Sequence, residues 1–321
     1  MATNQGFKSL VPDPRRAEAG YLYWWMRCHR RLMESLGNGA TFKEVSKAVV
    51  SRVEIPLPPL DEQRRIAAIL DQADTLRRKR HLARRKLEGL PSLLFRQLFG
   101  DLVRNERGWR LGTVSDLVRG FESGKSLAAA DEDDLTSSYR VLKISAVTAL
   151  SFIPAEAKAL PHDYVPPREH LVRHGDLLFS RANTSDLIGA TALVDCDCEG
   201  LALPDKLWRF RWHADGRTDA NFVWQLFMEP SFRDQIRRRA TGTSGSMKNI
   251  SQDKVMGIEI GIPDRALQTD FARKFTELRA LVGPMREQEK VLDALFASLQ
   301  HRAFSGELTA KAVQRELAQA G

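Results

Sequence analysis

Apolar positions along this chain repeat with two periods, and each period occurs twice. Val53, Ile55 and Leu57 alternate with other residues, as do Ile258, Ile260 and Ile262, and a period of two predicts a strand at each place. Pro58-Pro59 and Pro263-Asp264 stop the runs, because proline cannot donate to a ladder. The spacing then changes to alternating threes and fours. Ile66, Ile69, Ala73, Leu76, Arg80, Ala83, Leu87, Leu90 and Leu94 trace a heptad seam with one polar interruption at Arg80. Phe271, Lys274, Leu278, Leu281, Met285, Gln288, Leu292, Leu295 and Leu299 trace a second. Each predicts a long helix; thirty such residues span roughly 45 Å at about 1.5 Å each. Asp61 and Glu62 suit the first helix's N-terminus. Pro91 and Pro284 are expected to kink or break the helices.

The two stretches read as copies of one module. Thr41–Phe99 aligns with Ser246–Phe304 at a constant offset of 205 without a gap. Lys43 falls on Lys248, Ser46 on Ser251, Glu54 on Glu259, Pro58 on Pro263, Gln63 on Gln268, Leu87 on Leu292 and Phe99 on Phe304. Upstream, Tyr21–Trp25 resembles Phe222–Leu226, an apolar helix start before each copy. Between the helices the pattern changes to short apolar runs separated by turn residues. Tyr139–Ala146, Asp176–Ser180, Ala190–Val194 and Leu207–Trp212 are predicted strands, and Asn221–Met228 and Phe232–Arg239 are predicted helices. That is a mixed α/β domain. The chain therefore divides into residues 1–58, the end of a first domain; 59–106, a central helix; 107–262, a whole domain; and 263–321, a second helix and tail.

Composition narrows the partners. The chain has 321 residues, 43% apolar, with a net charge of +8. A pI near 9.5 favours a polyanion, most often nucleic acid. No run of 18 apolar residues occurs, so no membrane span is expected. Cys28, Cys196 and Cys198 are too few for a four-thiolate zinc site and suit a reducing cytoplasm.

Three stretches carry a family resemblance. Ile55-Pro56-Leu57-Pro58-Pro59-Leu60-Asp61-Glu62-Gln63-Arg64-Arg65-Ile66-Ala67 resembles the entry to the conserved spacer helix of Type I restriction–modification specificity subunits. Gly108-Trp109 with Leu111-Gly112 resembles the opening of that family's target recognition domains. His174-Gly175-Asp176-Leu177-Leu178-Phe179-Ser180-Arg181 resembles a segment inside them. The resemblance implies an α/β (mixed α+β) recognition domain on long antiparallel coiled-coil spacer helices. It implies a non-catalytic subunit that binds one half of a split site on double-stranded DNA. Modification subunits using S-adenosylmethionine for adenine methylation, and an ATP- and Mg-dependent restriction/translocase subunit, would be its partners; no cofactor is expected on this chain. Family members commonly carry two full recognition domains, and residues 1–58 match only the end of one, so pairing of two copies through the helices is a further expectation.

Other motifs were weighed for chemistry. Gly120-Phe121-Glu122-Ser123-Gly124-Lys125-Ser126 is one residue short of a phosphate-binding loop and lacks a preceding buried strand. Asp131–Asp134 followed by Glu156-Ala157-Lys158 has a spacing that metal-dependent nucleases use, which keeps a stand-alone nuclease as one alternative. A coiled-coil interaction protein without DNA binding is the other. Cys196-Asp197-Cys198 lacks further ligands nearby, so no metal is expected. None of the seven His sits in a nucleophile–base motif, and no Asn/Asp-Pro-Pro-aromatic methyltransferase loop occurs.

Bases are read by Arg, Lys, Asn, Gln and hydroxyl side chains, and phosphates by Lys, Arg and small polar groups. The loop Ser180-Arg181-Ala182-Asn183-Thr184-Ser185 is dense in such groups, with Arg181 suited to guanine and Asn183 to adenine. Thr241–Asn249 is next, with Ser244, Ser246, Lys248 and Asn249. Lys125, Ser126, Lys206 and Arg209 complete the candidates. The run Arg77-Arg78-Lys79-Arg80 with Arg84-Arg85-Lys86 faces DNA, an acidic partner or solvent.

Overall fold

A computed structural model describes residues 7–37, 44–125, 137–242 and 247–308. The chain forms two units, Met1–Lys86 with Leu281–Gly321, and Leu87–Ala280. In chain order the elements begin with α1 (Ala19–Cys28), α2 (Arg30–Ser35), α3 (Lys47–Val50) and α4 (Leu60–Phe99). Next come β1 (Arg110–Thr113), α5 (Val114–Leu117), β2 (Gly120–Ser123), β3 (Arg140–Leu142), α6 (Ser145–Thr148) and β4 (Ala157–Ala159). They are followed by β5 (Leu177–Ser180), β6 (Ala182–Asn183), β7 (Thr191–Leu193), β8 (Leu201–Ala202) and β9 (Leu207–Arg211). The last are α7 (Ala220–Met228), α8 (Pro230–Arg239), β10 (Lys248–Asn249), α9 (Gln252–Met256), β11 (Glu259–Ile262) and α10 (Arg265–Phe304).

The second unit is the α/β domain. Its main sheet runs β2-β9-β5-β7, every pair antiparallel, and β4-β3-β8 forms a smaller sheet with β3 and β8 parallel. The predicted strand Tyr139–Ala146 is cut to three residues, because the chain turns helical at Ser145. Phe179, Phe210, Phe222, Val223 and Phe227 pack between sheet and α7, and Phe95, Phe99 and Phe271 of the long helices join the same core. The first unit has its own apolar centre, built by Tyr21, Trp24, Ile66, Leu70, Phe296 and Ala303.

The repeat holds at the level of single hydrogen bonds. Both long helices have 40 residues, and their ends differ by the same offset of 205. Ser46 caps α3, and Ser251 stands at the same place before α9. Val53 N donates to Val50 O at 3.1 Å, and Ile258 N to Val255 O at 3.2 Å. Gln63 and Gln268 are both buried, and each donates its amide to the proline carbonyl five residues back, at 2.7 and 2.9 Å.

Three expectations need correcting. Val53–Leu57 belongs to no strand, whereas β11 pairs with β1; a strand needs a neighbour, and among the described residues the first copy has none. Helix continues through Pro91 and Pro284, so neither proline breaks it. Ile66 and Phe271 of the apolar seams are buried, but beyond them the more buried line lies one residue further along in both helices. It follows Ala67, Leu70 and Asp74 and the half-buried Arg77, His81 and Arg84 in α4, and Ala272, Phe275, Val282, Glu289 and Phe296 in α10, while Leu76 and Leu281 are exposed. The middle of the seam is charged, and cross-helix ion pairs satisfy it. Arg77 meets Asp293 at 3.4 Å, His81 meets Glu289 at 3.1 Å, and Arg84 meets Glu289 at 2.7 Å. One helix number falls as the other rises, so the pairing there is antiparallel.

Candidate nucleic-acid interface

The two polar segments singled out in the sequence lie side by side. β6 pairs antiparallel with β10, setting Asn183 opposite Lys248 and Ala182 opposite Asn249. Thr241 and Asn249 exchange backbone hydrogen bonds at 2.8 Å, and Ile250 N donates to Arg181 O at 3.0 Å. The 204–206 turn closes against them. Arg181 N donates to Lys206 O at 3.1 Å, and Gly124 N to Pro204 O at 3.2 Å, which brings Lys125 to the same group. Arg181, Asn183, Thr184, Lys206, Lys248, Asn249 and Lys125 are each exposed or half-buried.

Arg181 is held as it stands. Its Nε donates to Asp205 O at 2.8 Å, its terminal nitrogen lies 3.6 Å from the Asp205 carboxylate, and its guanidinium lies 6.0 Å from the Trp208 ring centre. Asn183 donates weakly to Ser180 Oγ at 3.4 Å and accepts from Thr184 N at 2.9 Å, so half of its amide capacity stays open.

Two sequence candidates belong to the interior instead. Ser180 is fully buried and donates to Ala182 O at 3.2 Å, shaping the turn into β6. Arg209 is 8% exposed and is fixed by Glu122 at 2.6 Å, Asp176 at 3.0 Å, Leu171 O at 2.9 Å and Glu169 O. Burial works against both charges. The hydrogen bonds and charges of Arg209 and Arg211 nonetheless hold Glu122 below the usual carboxylate range, and Glu122 and Asp176 raise Arg209. Asp176 comes from the Gly175–Arg181 motif, so that motif carries a structural anchor as well as Arg181. Ser126, Ser244, Ser246 and the acidic run Asp131–Asp134 lie outside the described residues.

The end of α8 adjoins the 180–186 loop. Arg237 and Arg239 are half-buried, and Arg238 and Lys254 are exposed. Arg237 donates to Asp234 and reaches Asp186 O of the 180–186 loop, while Lys254 Nζ donates to Arg239 O at 3.1 Å. Three consecutive arginines running into a polar loop were the available signal.

The glycine-rich motif begins in a strand, not in a loop. Gly120–Ser123 is strand, paired to β9, and Gly124 lies so close to Leu203 that a Cβ would stand 1.8 Å from its carbonyl oxygen. Glu156 accepts from Ser145 Oγ at 2.5 Å. Among the described residues no three His, Cys, Asp or Glu cluster to hold a metal, and no helix is long and apolar enough to cross a membrane. In the α4 basic run, Arg77, Arg78 and Arg84 are paired to Asp293, Asp74 and Glu289, leaving Lys79, Arg80, Arg85 and Lys86 facing solvent.

Comparison with known proteins meets this arrangement. The profile of the family described as "Type I restriction modification DNA specificity domain" matches residues 1–83. The EcoKI specificity subunit of Escherichia coli (strain K12) is 27% identical over 301 residues, covering 88% of this chain and 64% of that protein. The MjaVIII specificity subunit of Methanocaldococcus jannaschii is 22% identical, covering 91% and 70%. The chain is similar to the specificity subunits of Type I restriction enzymes. The Type I S subunit from M. genitalium has the same fold at TM-score 0.58 and 13% identity, over 91% of this chain and 74% of that one. A chain from a study of Type I complex assembly aligns at TM-score 0.51 and 19% identity, over 92% and 73%. This chain spans 64% of the EcoKI subunit's length and 33% of the EcoEI subunit's.

Proposed function

We propose that this chain is a non-catalytic DNA-recognition subunit whose α/β domain reads part of a split target site on double-stranded DNA. The β6–β10 pair carries the reading: it joins two polar segments, far apart in sequence, into one surface ringed by Lys125, Lys206, Lys248 and the α8 arginines. A short two-stranded ribbon fits the major groove. Asn183 and Arg181 are assigned to bases, Arg181 by exchanging Asp205 for guanine, and the lysines to phosphates. The helices α4 and α10 are assigned to docking modification subunits that bind S-adenosylmethionine and methylate adenine. An ATP- and Mg-dependent restriction subunit completes the assembly.

The test is reconstitution with the cognate modification subunit, followed by mapping of methylated adenines. Site-dependent methylation that shifts when residues 180–186 are exchanged is the expected result. Methylation independent of this chain, or DNA cutting by this chain alone with Mg²⁺, overturns it.

A further inference from the structure

The two copies of the repeat close differently around their shared glutamine. In the first copy both ends of the Gln63 amide are engaged. Oε1 accepts from Glu18 N at 2.9 Å, and Nε2 donates to Arg16 O at 3.0 Å and to Pro58 O at 2.7 Å. Tyr21–Trp25 matches Phe222–Leu226, so Arg16, Ala17 and Glu18 match Arg217, Thr218 and Asp219. Glu18 caps α1, and Asp219 caps α7 in the same way. In the second copy Gln268 Nε2 still donates to Pro263 O at 2.9 Å, but Oε1 has no donor although the residue is only 2% exposed. Thr218 Oγ1 is buried and without a partner as well. Buried polar atoms left unpaired are costly and uncommon.

A cavity of about 270 Å³ lies where these two atoms are, lined by Gln268, Thr218, Arg110, Arg217, Arg265 and Asp116. Arg265 is the first residue of α10. Leu267 N and Gln268 N both donate to Asp264 O, whereas the N–H groups of Arg265 and Ala266 make no hydrogen bond among the described residues. The sequence of the two copies differs at the same points: Thr218 stands where the first has Ala17, and Arg265 where it has Leu60. Three guanidinium groups therefore face the carboxylates of Asp116 and Asp264. Asp116 is held by Thr113 N at 2.8 Å and by Arg110 at 3.5 Å, and Arg217 shares Asp215 at 2.5 Å. Arg265 is exposed and forms no ion pair among the described residues.

We propose that this cavity binds phosphate, as the free ion or a monoester, in a form that still carries one proton. The arginines and the two open N–H groups at the head of α10 take the anionic oxygens, and the Thr218 hydroxyl donates to another. The ligand's own O–H donates to Gln268 Oε1. That buried carbonyl sets the chemical class, because it can only accept. A fully deprotonated oxyanion such as sulfate turns a lone pair toward it, and a phosphodiester of the DNA backbone has no proton to give. The site is thus separate from the DNA contacts of the β6–β10 ribbon and does not rest on them.

The probe is inorganic phosphate, titrated into the full chain at neutral pH in chloride buffer and followed by isothermal calorimetry. Saturable binding is expected, with sulfate weaker by at least about tenfold. Thr218→Ala and Arg265→Leu install the residues of the first copy, so the fold tolerates them, and each weakens phosphate by at least about fivefold. Circular dichroism melts confirm that both variants stay folded. Methyl phosphate separates the two sources: binding like that of phosphate assigns the site to monoesters, and exclusion assigns it to the free ion. Absence of saturable phosphate binding up to about 10 mM, sulfate or dimethyl phosphate binding as tightly as phosphate, or undiminished binding to both variants overturns the proposal.

Discussion

Arg84 and Glu289 occupy the same place in the two copies of the repeat and are bonded to each other, Nε to Oε2 at 2.7 Å, across 205 residues of sequence. The helix pair thus crosses itself at matching positions in the first unit. Glu289 is 7% exposed and also faces His81. Removing its carboxylate takes one acceptor from each of two basic groups, which the partly exposed Arg84 offsets by turning toward water and His81 by its contact with Asp293 at 3.6 Å. Glu289→Ala is expected to lower unfolding free energy by about 1–3 kcal/mol. The double exchange Arg84→Glu with Glu289→Arg recovers part of the loss. Urea denaturation of the three proteins checks both statements.

Glu122 links acid stability to the domain core. Its folded pKa lies below its ordinary unfolded value of about 4.3, because Arg209 and Arg211 outweigh its burial. The resulting stabilisation is therefore present above that value and disappears as pH falls through the lower folded pKa. Glu122→Gln should cost about 1–3 kcal/mol at neutral pH and flatten the acid limb of the stability curve. Thermal melts between about pH 3 and 7 give the comparison, and parallel curves for variant and parent contradict it.

Asn183 and Lys248 face each other across the ribbon but should fail differently. Asn183→Ala is expected to relax sequence preference at one base position by about 1–3 kcal/mol. Lys248→Ala weakens binding to every sequence and reduces the slope of log affinity against log salt by about one. Anisotropy titrations with target and scrambled duplexes over a range of salt separate the two effects.

Gly124 acts at a distance. A methyl group there collides with the Leu203 carbonyl and pushes the 204–206 turn, on which Lys206 and Asp205 stand. Gly124→Ala should lower the melting temperature by several degrees, on the order of 1–3 kcal/mol, and weaken DNA binding although glycine offers DNA no side chain. Undisturbed binding would show that the turn is not part of the interface.

The helices and the domain between them were legible because their signals are local: heptad spacing for α4 and α10, short apolar runs for β5, β7 and β9. The seam was misread by one residue because its centre is built from Asp74, Arg77, His81 and Arg84. Charge buried against charge leaves no hydrophobic trace, and the exposed leucines 76 and 90 drew the periodicity toward solvent. The 180–185 loop, to which base contacts are assigned in the proposal, stands out in sequence as a dense polar stretch. What composition could not separate is Arg181 from Arg209: Arg181 follows a strand and Arg209 lies within one, and the placement of Glu122 and Asp176 holds Arg209 inside. The pairing of β6 with β10 is long-range and leaves no mark in either segment alone.

β1 and β11 give the domain a drawstring. The segment that leaves α4 and the segment that enters α10 are zipped together over four residue pairs, and Trp109 ties the knot by donating to Phe99 O at 2.9 Å. Everything from Val114 to Ile258 hangs from that closure as a loop whose two ends already meet. A different sequence with adjoining ends can be spliced there without lengthening either helix, so the held segment is separable from the closure that holds it.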